Sequence, residues 1–254
     1  MSFTIAVAGK GGTGKTTLAA LIILKLVKNG KGAVLAVDAD PNVNLNQLLG
    51  VEVHQTVGGL REETLKVIKK GDFPVGMSKS MYLQMGLEEC LIEDKGLDLL
   101  VMGRQEGPGC YCLVNSILRE FLDSIIRNYR YVIIDNEAGM EHLSRRTTRD
   151  VDLLLAISDD NPVSLRSAGN ISRMGEELEL RIKKKYLILN KVKEKIPLHL
   201  EKEIEKNDLT LLGRIPQDEF ILSLSKEGRS LKDLPEASPA LRSVASLLEK
   251  LNLE

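Results

Sequence analysis

The chain has 254 residues, enough for one sizeable α/β domain with a buried core. Hydrophobic residues make up 43% and charged residues 28%, and the formal net charge is -1, so the totals give no support for a nucleic-acid or membrane-surface partner. No apolar run reaches the length that spans a bilayer, and the three cysteines are an odd count that argues against a disulfide framework.

The first element is a strand over Thr4–Ala8, inside an apolar run, Phe3 to Ala8, that lacks the basic region and long apolar core of a signal peptide. A cytoplasmic location is therefore the default expectation. A helix follows over Lys15–Asn29, then strands at Ala33–Val37 and Leu97–Met102. The order continues with a helix at Leu113–Arg127, strands at Tyr131–Asp135 and Leu153–Ile157, and a helix at Val163–Leu178. A strand at Tyr186–Leu189, a helix at His199–Lys206 and a strand at Leu211–Arg214 precede the last helix, Pro239 to Leu251, with Ser238 as its N-cap. Most of these strands are continuously apolar, as parallel strands covered on both faces are. The alternation predicts one domain over residues 1–254. Its fold is α/β, a doubly wound and mostly parallel sheet with helices on both faces and a ligand at the carboxyl ends of the strands. The charged stretch Lys191–Lys206 reads as a solvated loop and helix face.

The strongest signal is Gly9-Lys10-Gly11-Gly12-Thr13-Gly14-Lys15-Thr16, which fits G-x-x-x-x-G-K-[ST] between a strand and a helix. The glycines let successive backbone N–H groups turn inward around a phosphate, and the following helix adds its positive end. Lys15 brings charge to the outer phosphates, Thr16 offers a hydroxyl to Mg²⁺, and Thr17 extends the same turn. The chain is thus expected to bind and hydrolyse ATP with Mg²⁺. The second lysine, Lys10, resembles the deviant Walker A pattern of the MinD, ParA and nitrogenase iron protein class. The resemblance implies that Lys10 reaches across a dimer interface to the partner's nucleotide and acts as an arginine finger does.

Three further segments fit this assignment. Asp38-Ala39-Asp40-Pro41 closes the second strand and resembles switch I, which implies that Asp40 positions the attacking water and Asp38 helps to hold the Mg²⁺ hydration shell. Tyr131–Asp135 resembles Walker B, with Asp135 reaching Mg²⁺ through water and Gly139 letting a backbone N–H approach the γ-phosphate. Asn190, at the end of a strand, and the loop at Ile215-Pro216-Gln217-Asp218 match the positions that hold adenine in that class.

Cys110-Tyr111-Cys112 follows a Gly107-Pro108-Gly109 turn. Two thiols one residue apart can face one metal ion, and thiolates suit Zn²⁺ or Ni²⁺. One pair supplies half of a closed four-ligand site, and a two-fold axis between two copies would supply the rest. Cys90, between Leu87 and Ile92, reads as a core residue in an apolar helical context, and His54, His142 and His199 are assigned no ligand role.

The combination of Gly9–Thr16, Gly109-Cys110-Tyr111-Cys112, Ala138-Gly139 and Glu141-His142-Leu143-Ser144-Arg145 resembles the CooC family of nickel-insertion ATPases. The resemblance runs over essentially the whole chain. It implies an ATP-driven homodimer that carries Ni²⁺, or binds Zn²⁺, on Cys110 and Cys112 of each copy, with carbon monoxide dehydrogenase or acetyl-CoA synthase as client. Two other readings stay open: an iron–sulfur scaffold or electron-transfer ATPase like nitrogenase iron protein, and a MinD- or ParA-like positioning ATPase. Against the last, Leu241, Val244, Leu247, Leu248 and Leu251 share one face of the final helix, with only Arg242 and Lys250 as nearby cations. That pattern predicts a helix packed on its own domain.

Overall fold

The computed structural model describes residues 2–70, 74–104, 112–137, 150–178, 180–192 and 198–253. Eight strands form one sheet: β1 (Phe3–Gly9), β2 (Val34–Asp38), β3 (Leu91–Asp94), β4 (Leu97–Val101), β5 (Tyr131–Asp135), β6 (Asp150–Ser158), β7 (Arg181–Asn190) and β8 (Leu211–Ile215). Their order is β3-β4-β2-β5-β1-β6-β7-β8, and every pair is parallel except the β3–β4 hairpin at one edge. The helices are α1 (Lys15–Asn29), α2 (Leu45–Leu49), α3 (Val57–Lys70), α4 (Lys79–Glu89), α5 (Cys112–Ile126), α6 (Pro162–Glu177), α7 (Leu198–Lys206), α8 (Glu219–Lys226) and α9 (Pro239–Lys250).

The alternation of side chains along β1 divides the core. Ile5 and Val7 face the cluster built with α1 and α9, while Ala6 and Ala8 face the cluster built with α4 and α5. Both faces are buried, which is why β2 and β5 are apolar until the aspartates that end them and β1 is apolar apart from Thr4. β1 lies between β5 and β6, so the chain enters the sheet at its centre and builds outward to both sides. The carboxyl end of β1 is therefore the switch point where a ligand crevice opens.

The predicted fold class is the one observed. The final helix is capped as its sequence indicates, with the Ser238 hydroxyl accepting from the Leu241 amide and proline in the first turn. Val244, Leu247 and Leu248 lie buried in the same cluster as α1, so the apolar face of α9 is spent on this domain. No helix among the described residues is long and apolar enough to cross a membrane.

Three differences have physical causes. β7 starts at Arg181, well before the expected Tyr186, because its charged residues pair across to β6: Arg181 with Asp150 at 2.6 Å and Lys183 with Asp152 at 2.6 Å. Cys90 is buried as expected, but it ends α4, and Leu91 and Ile92 belong to β3 instead of a helix. The two-residue turn Lys95-Gly96 makes that hairpin, with Gly96 at φ 74°. Finally, α3 was not expected, because Gly58 and Gly59 lie in its first turn. A Cβ on Gly58 would stand 2.1 Å from the Arg104 carbonyl oxygen, so glycine is required there by close approach of the chain after β4.

Candidate functional site

The phosphate loop leaves the sheet at Gly9, which is paired with Ile157 of β6, and returns at Lys15 as the first residue of α1. Gly12 and Gly14 have φ of 83° and 94°, a left-handed geometry that residues with a Cβ seldom adopt. Within the loop, the Thr13 amide and hydroxyl both donate to the Lys10 carbonyl, at 3.3 and 2.8 Å. Thr13 is buried, as is Lys15 at 7% exposure, whereas Lys10 and Gly11 are exposed. The N-cap of α1 is Gly14, which offers no side chain to the first amides of the helix. Those donors are free to meet an anion.

Two aspartates lie beneath this loop. Asp38 and Asp135 are register partners on adjacent strands, and both are fully buried. They lie on the α1 side of the sheet, the side of Ile133 and Ala36. Asp38 already has work within the chain: its carboxylate accepts from the backbone amides of Asp40 (3.1 Å), Asn44 (3.1 Å) and Leu45 (3.0 Å). It shapes the turn that presents Asp40. Asp40 is partly buried and accepts from the Asn42 amide and side chain, both at 2.9 Å. By contrast, neither carboxylate oxygen of Asp135 has a hydrogen-bond partner among the described residues.

Burial is the main reason that both acids are hard to ionise. It pushes Asp135 up to about 7, offset in part by the nearby Thr16 hydroxyl, which stands beside it without completing a hydrogen bond, and by the Lys15 charge. The charges of Asp38 and Asp40 raise it further. Asp38 is pushed up to about 6 by burial, against the pull of its backbone donors. A carboxyl whose folded pKa is raised contributes stability at low pH and loses it as pH rises through the folded value. The nucleotide-free protein is therefore expected to lose on the order of 2–4 kcal/mol from these two groups between pH 5 and pH 8. Urea denaturation at the two pH values checks this. A nucleotide-free protein equally stable at both would mean that the pair does not titrate in this range.

On the other side of α1, a cavity of about 270 Å³ lies between that helix and the loops after β7 and β8. Thr17, Leu18, Asn190, Lys191, Pro216 and Gln217 line it, with Ile221 and Leu222 of α8. Asn190 and Pro216, far apart in sequence, are thus brought to one pocket, and the pocket adjoins the phosphate loop. The Asn190 side-chain amide donates to the Thr13 carbonyl at 2.7 Å, which leaves its own carbonyl oxygen as the acceptor. Asp218 was not singled out from the sequence. It is buried, and it accepts from the Phe220 amide (2.9 Å), the Ser238 hydroxyl (2.5 Å) and the Ala240 amide (3.0 Å). It therefore ties the 215–218 loop to the starts of α8 and α9. The signal was present in the sequence as Asp218 immediately before an apolar-periodic run.

Cys110 lies outside the described residues, as do Gly139, the segment 141–145 and the side chain of Cys112, the first residue of α5. Among the described residues no group of three or more His, Cys, Asp or Glu side chains is placed to hold a metal ion. Cys90 is fully buried, and burial pushes its thiol up to about 12, which makes it an inert core residue.

Comparison with known proteins agrees with this geometry. Residues 4–231 match the family described as CobQ/CobB/MinD/ParA nucleotide binding domain. An uncharacterized ATP-binding protein of Methanocaldococcus jannaschii is 43% identical over 97% of this chain and 97% of its own length. The carbon monoxide dehydrogenase accessory protein CooC of Rhodospirillum rubrum is 32% identical over 98% of this chain and 96% of its own. Among solved structures, the septum site-determining protein MinD of Pyrococcus horikoshii, in complex with Mg-ADP, shares the fold with a TM-score of 0.68. Its identity is 24%, over 99% of this chain and 96% of that one. With its phosphate loop, paired aspartates and adjoining pocket, the chain belongs to the CobQ/CobB/MinD/ParA nucleotide-binding family and, within it, to the CooC-like P-loop ATPases.

Proposed function

We propose that this ATPase is a metallochaperone. In this reading a homodimer holds Ni²⁺, or Zn²⁺, on Cys110 and Cys112 of both copies and assists nickel insertion into carbon monoxide dehydrogenase or acetyl-CoA synthase. That the Rhodospirillum rubrum relative is a carbon monoxide dehydrogenase accessory protein supports the client, and the thiol pair supports the cargo.

One observation carries the link between nucleotide and metal. The chain that runs toward Cys110 starts on the strand end that carries Asp38: the Met102 amide donates to the Asp38 carbonyl at 2.9 Å, beside the register pair Asp38 and Val101. The Met102 carbonyl then accepts from the Gly58 amide at 2.9 Å. In this reading a change in the turn at Asp40 would reach the segment that leads to the cysteines through the backbone bond between Asp38 and Met102. Coupling of this kind requires that the two states bind the ion with different affinity.

The nucleotide reading divides the roles as follows. The backbone N–H groups of Gly9–Thr16 and the Lys15 ammonium bind the phosphates. The buried Asp135 carboxylate, without a hydrogen-bond partner among the described residues and beside Thr16, fits a Mg²⁺ site, with Thr16 as direct ligand and Asp135 and Asp38 behind its water shell. Mg²⁺ would supply charge neutralisation on the phosphates. Asp40 orients the attacking water, Gly139 contributes a backbone donor, and the partner subunit's Lys10 brings positive charge to the nucleotide. Asn190 reads the base with the acceptor oxygen that Thr13 leaves free, which suits the amino group of adenine. Thr17 and Pro216 close the pocket around the ring. The packing of α9 on its own core weighs against use of that helix as a membrane anchor.

The test is an anaerobic metal titration of the reduced protein, with mass determination, with and without ATP. The expected result is a single Ni²⁺ or Zn²⁺ per dimer. In the Cys110→Ser/Cys112→Ser variant its affinity should fall by more than the ~100-fold that loss of an outer-shell partner costs. Unchanged metal stoichiometry in that variant would move the site elsewhere. A brown chromophore in the wild-type protein would favour the iron–sulfur reading instead.

A further inference from the structure

Adjacent residues at the end of β7 hold adjacent carbonyls of the phosphate loop. Asn190 donates to the Thr13 carbonyl at 2.7 Å, and the Lys191 ammonium donates to the Gly12 carbonyl at 3.0 Å. These bonds join segments 177 and 179 residues apart. With the Lys10 carbonyl held by Thr13, the carbonyls of Lys10, Gly12 and Thr13 are all engaged on the protein side. A peptide plane whose carbonyl is tethered outward directs the following N–H the other way, which turns the Gly11 and Gly14 amides inward. The Thr13 amide, next after the Gly12 carbonyl, stays with the Lys10 carbonyl, so Lys191 fixes the loop at that closed turn. We propose that Asn190-Lys191 is a brace that holds the phosphate loop in its anion-binding shape, and that Lys191 is a positioning residue for the β-phosphate of the nucleotide.

Two further features fit a brace. Lys191 adopts φ 56°, a left-handed conformation that a residue with a Cβ occupies at a cost, and such strain collects at functional positions. Asn190 also occupies the space that glycine leaves at position 14, since a Cβ there would stand 2.3 Å from the Asn190 amide nitrogen. Because Asn190 and Lys191 line the base pocket as well, base and phosphate sites share one rigid connection.

The inference rests on the ATPase assignment and is independent of the metal reading. Its test is Lys191→Gly, which removes the ammonium and at the same time relieves the left-handed strain, so that the fold is maintained or stabilised. ADP and ATP are expected to weaken by the same factor, about 3- to 10-fold for one exposed charged donor. Adenosine affinity, followed by ligand-observed NMR, is expected to stay unchanged, and the thermal midpoint without nucleotide to stay level or rise. Lys191→Arg, which keeps a long donor, is expected to restore most of the affinity. Unchanged ADP binding in Lys191→Gly would overturn the proposal. So would an equal loss for adenosine, which would place Lys191 on the base, or a much larger loss for ATP than for ADP, which would place it on the γ-phosphate. A wild-type protein that binds none of the three ligands would instead remove the nucleotide reading itself.

Discussion

Lys10→Ala is expected to lower ATP turnover by about 10³-fold or more, with ATP affinity within about threefold of the wild type. The side chain is exposed, and it has no partner among the described residues, so its removal leaves no unpaired group in the fold. Only its backbone carbonyl is used within the loop, by Thr13, and alanine retains that carbonyl. The loss would therefore fall on the transition state, where a second cation meets charge developing on the phosphates. Steady-state turnover and equilibrium binding of ATP separate the two effects. A mixing experiment tests whether the lysine acts in trans. Lys10→Ala and Asp40→Ala subunits are each inactive alone, but a mixed dimer regains one site that has both groups. About a quarter of wild-type activity should return on mixing, since half of the dimers are mixed and each has one of two sites intact. No recovery, in mixtures shown to exchange subunits, would place Lys10 beside its own nucleotide.

The second large effect belongs to Asp135. Asp135→Asn is expected to reduce Mg²⁺-dependent turnover by about 10²- to 10³-fold, the scale of losing one preorganised electrostatic group. The same change is expected to stabilise the nucleotide-free protein at pH 8. The reason is that the native carboxylate is fully buried, has no hydrogen-bond partner on either oxygen among the described residues, and has a pKa pushed up to about 7 by burial. Ionising it without a cation costs folding free energy, and the amide has no such charge. The gain is expected to be on the order of 1–3 kcal/mol at pH 8 and to vanish near pH 4. Saturating Mg-ATP should reverse the order of stability, because only the carboxylate gains from the ion. Denaturation curves of both proteins, with and without Mg-ATP, check all three statements. A destabilised Asn variant at pH 8 would mean that Asp135 has a structural partner and is not held in reserve for a cation.

Much of this site was legible because its parts are short and local. Gly9–Thr16 is a contiguous pattern, with two glycines at positive φ and a helix that starts at Lys15. The strands that end in Asp38 and Asp135 are apolar without interruption, and that pattern survives only in a strand covered on both faces. Boundaries were close for the same reason: the helix at Lys15–Asn29 and the strand at Tyr131–Asp135 agree residue for residue with α1 and β5. The region between β2 and β4 was less legible. α3 has two glycines in its first turn, and β3 has only four residues, two of them exposed acids. Propensity argues against the first and length against the second; a neighbouring chain segment supports each of them.

The class of chemistry is readable from short stretches of the chain: a phosphate loop, two strand-end aspartates, and an alternation of elements that brings all three to the carboxyl edge of a mostly parallel sheet. Those features depend on residues near one another in the chain and on rules of strand and helix that hold anywhere. The tertiary structure decided which polar groups remain free. Asp38 and Asp135 look alike in sequence, yet three backbone amides occupy Asp38 while neither oxygen of Asp135 has a partner among the described residues. Asn190 reads as a base contact, yet its amide is committed to Thr13, and its neighbour Lys191 reaches Gly12 across 179 residues. Hydrogen-bond partners at such separations are set by how the strands are ordered in the sheet, and that order is a property of the packed whole.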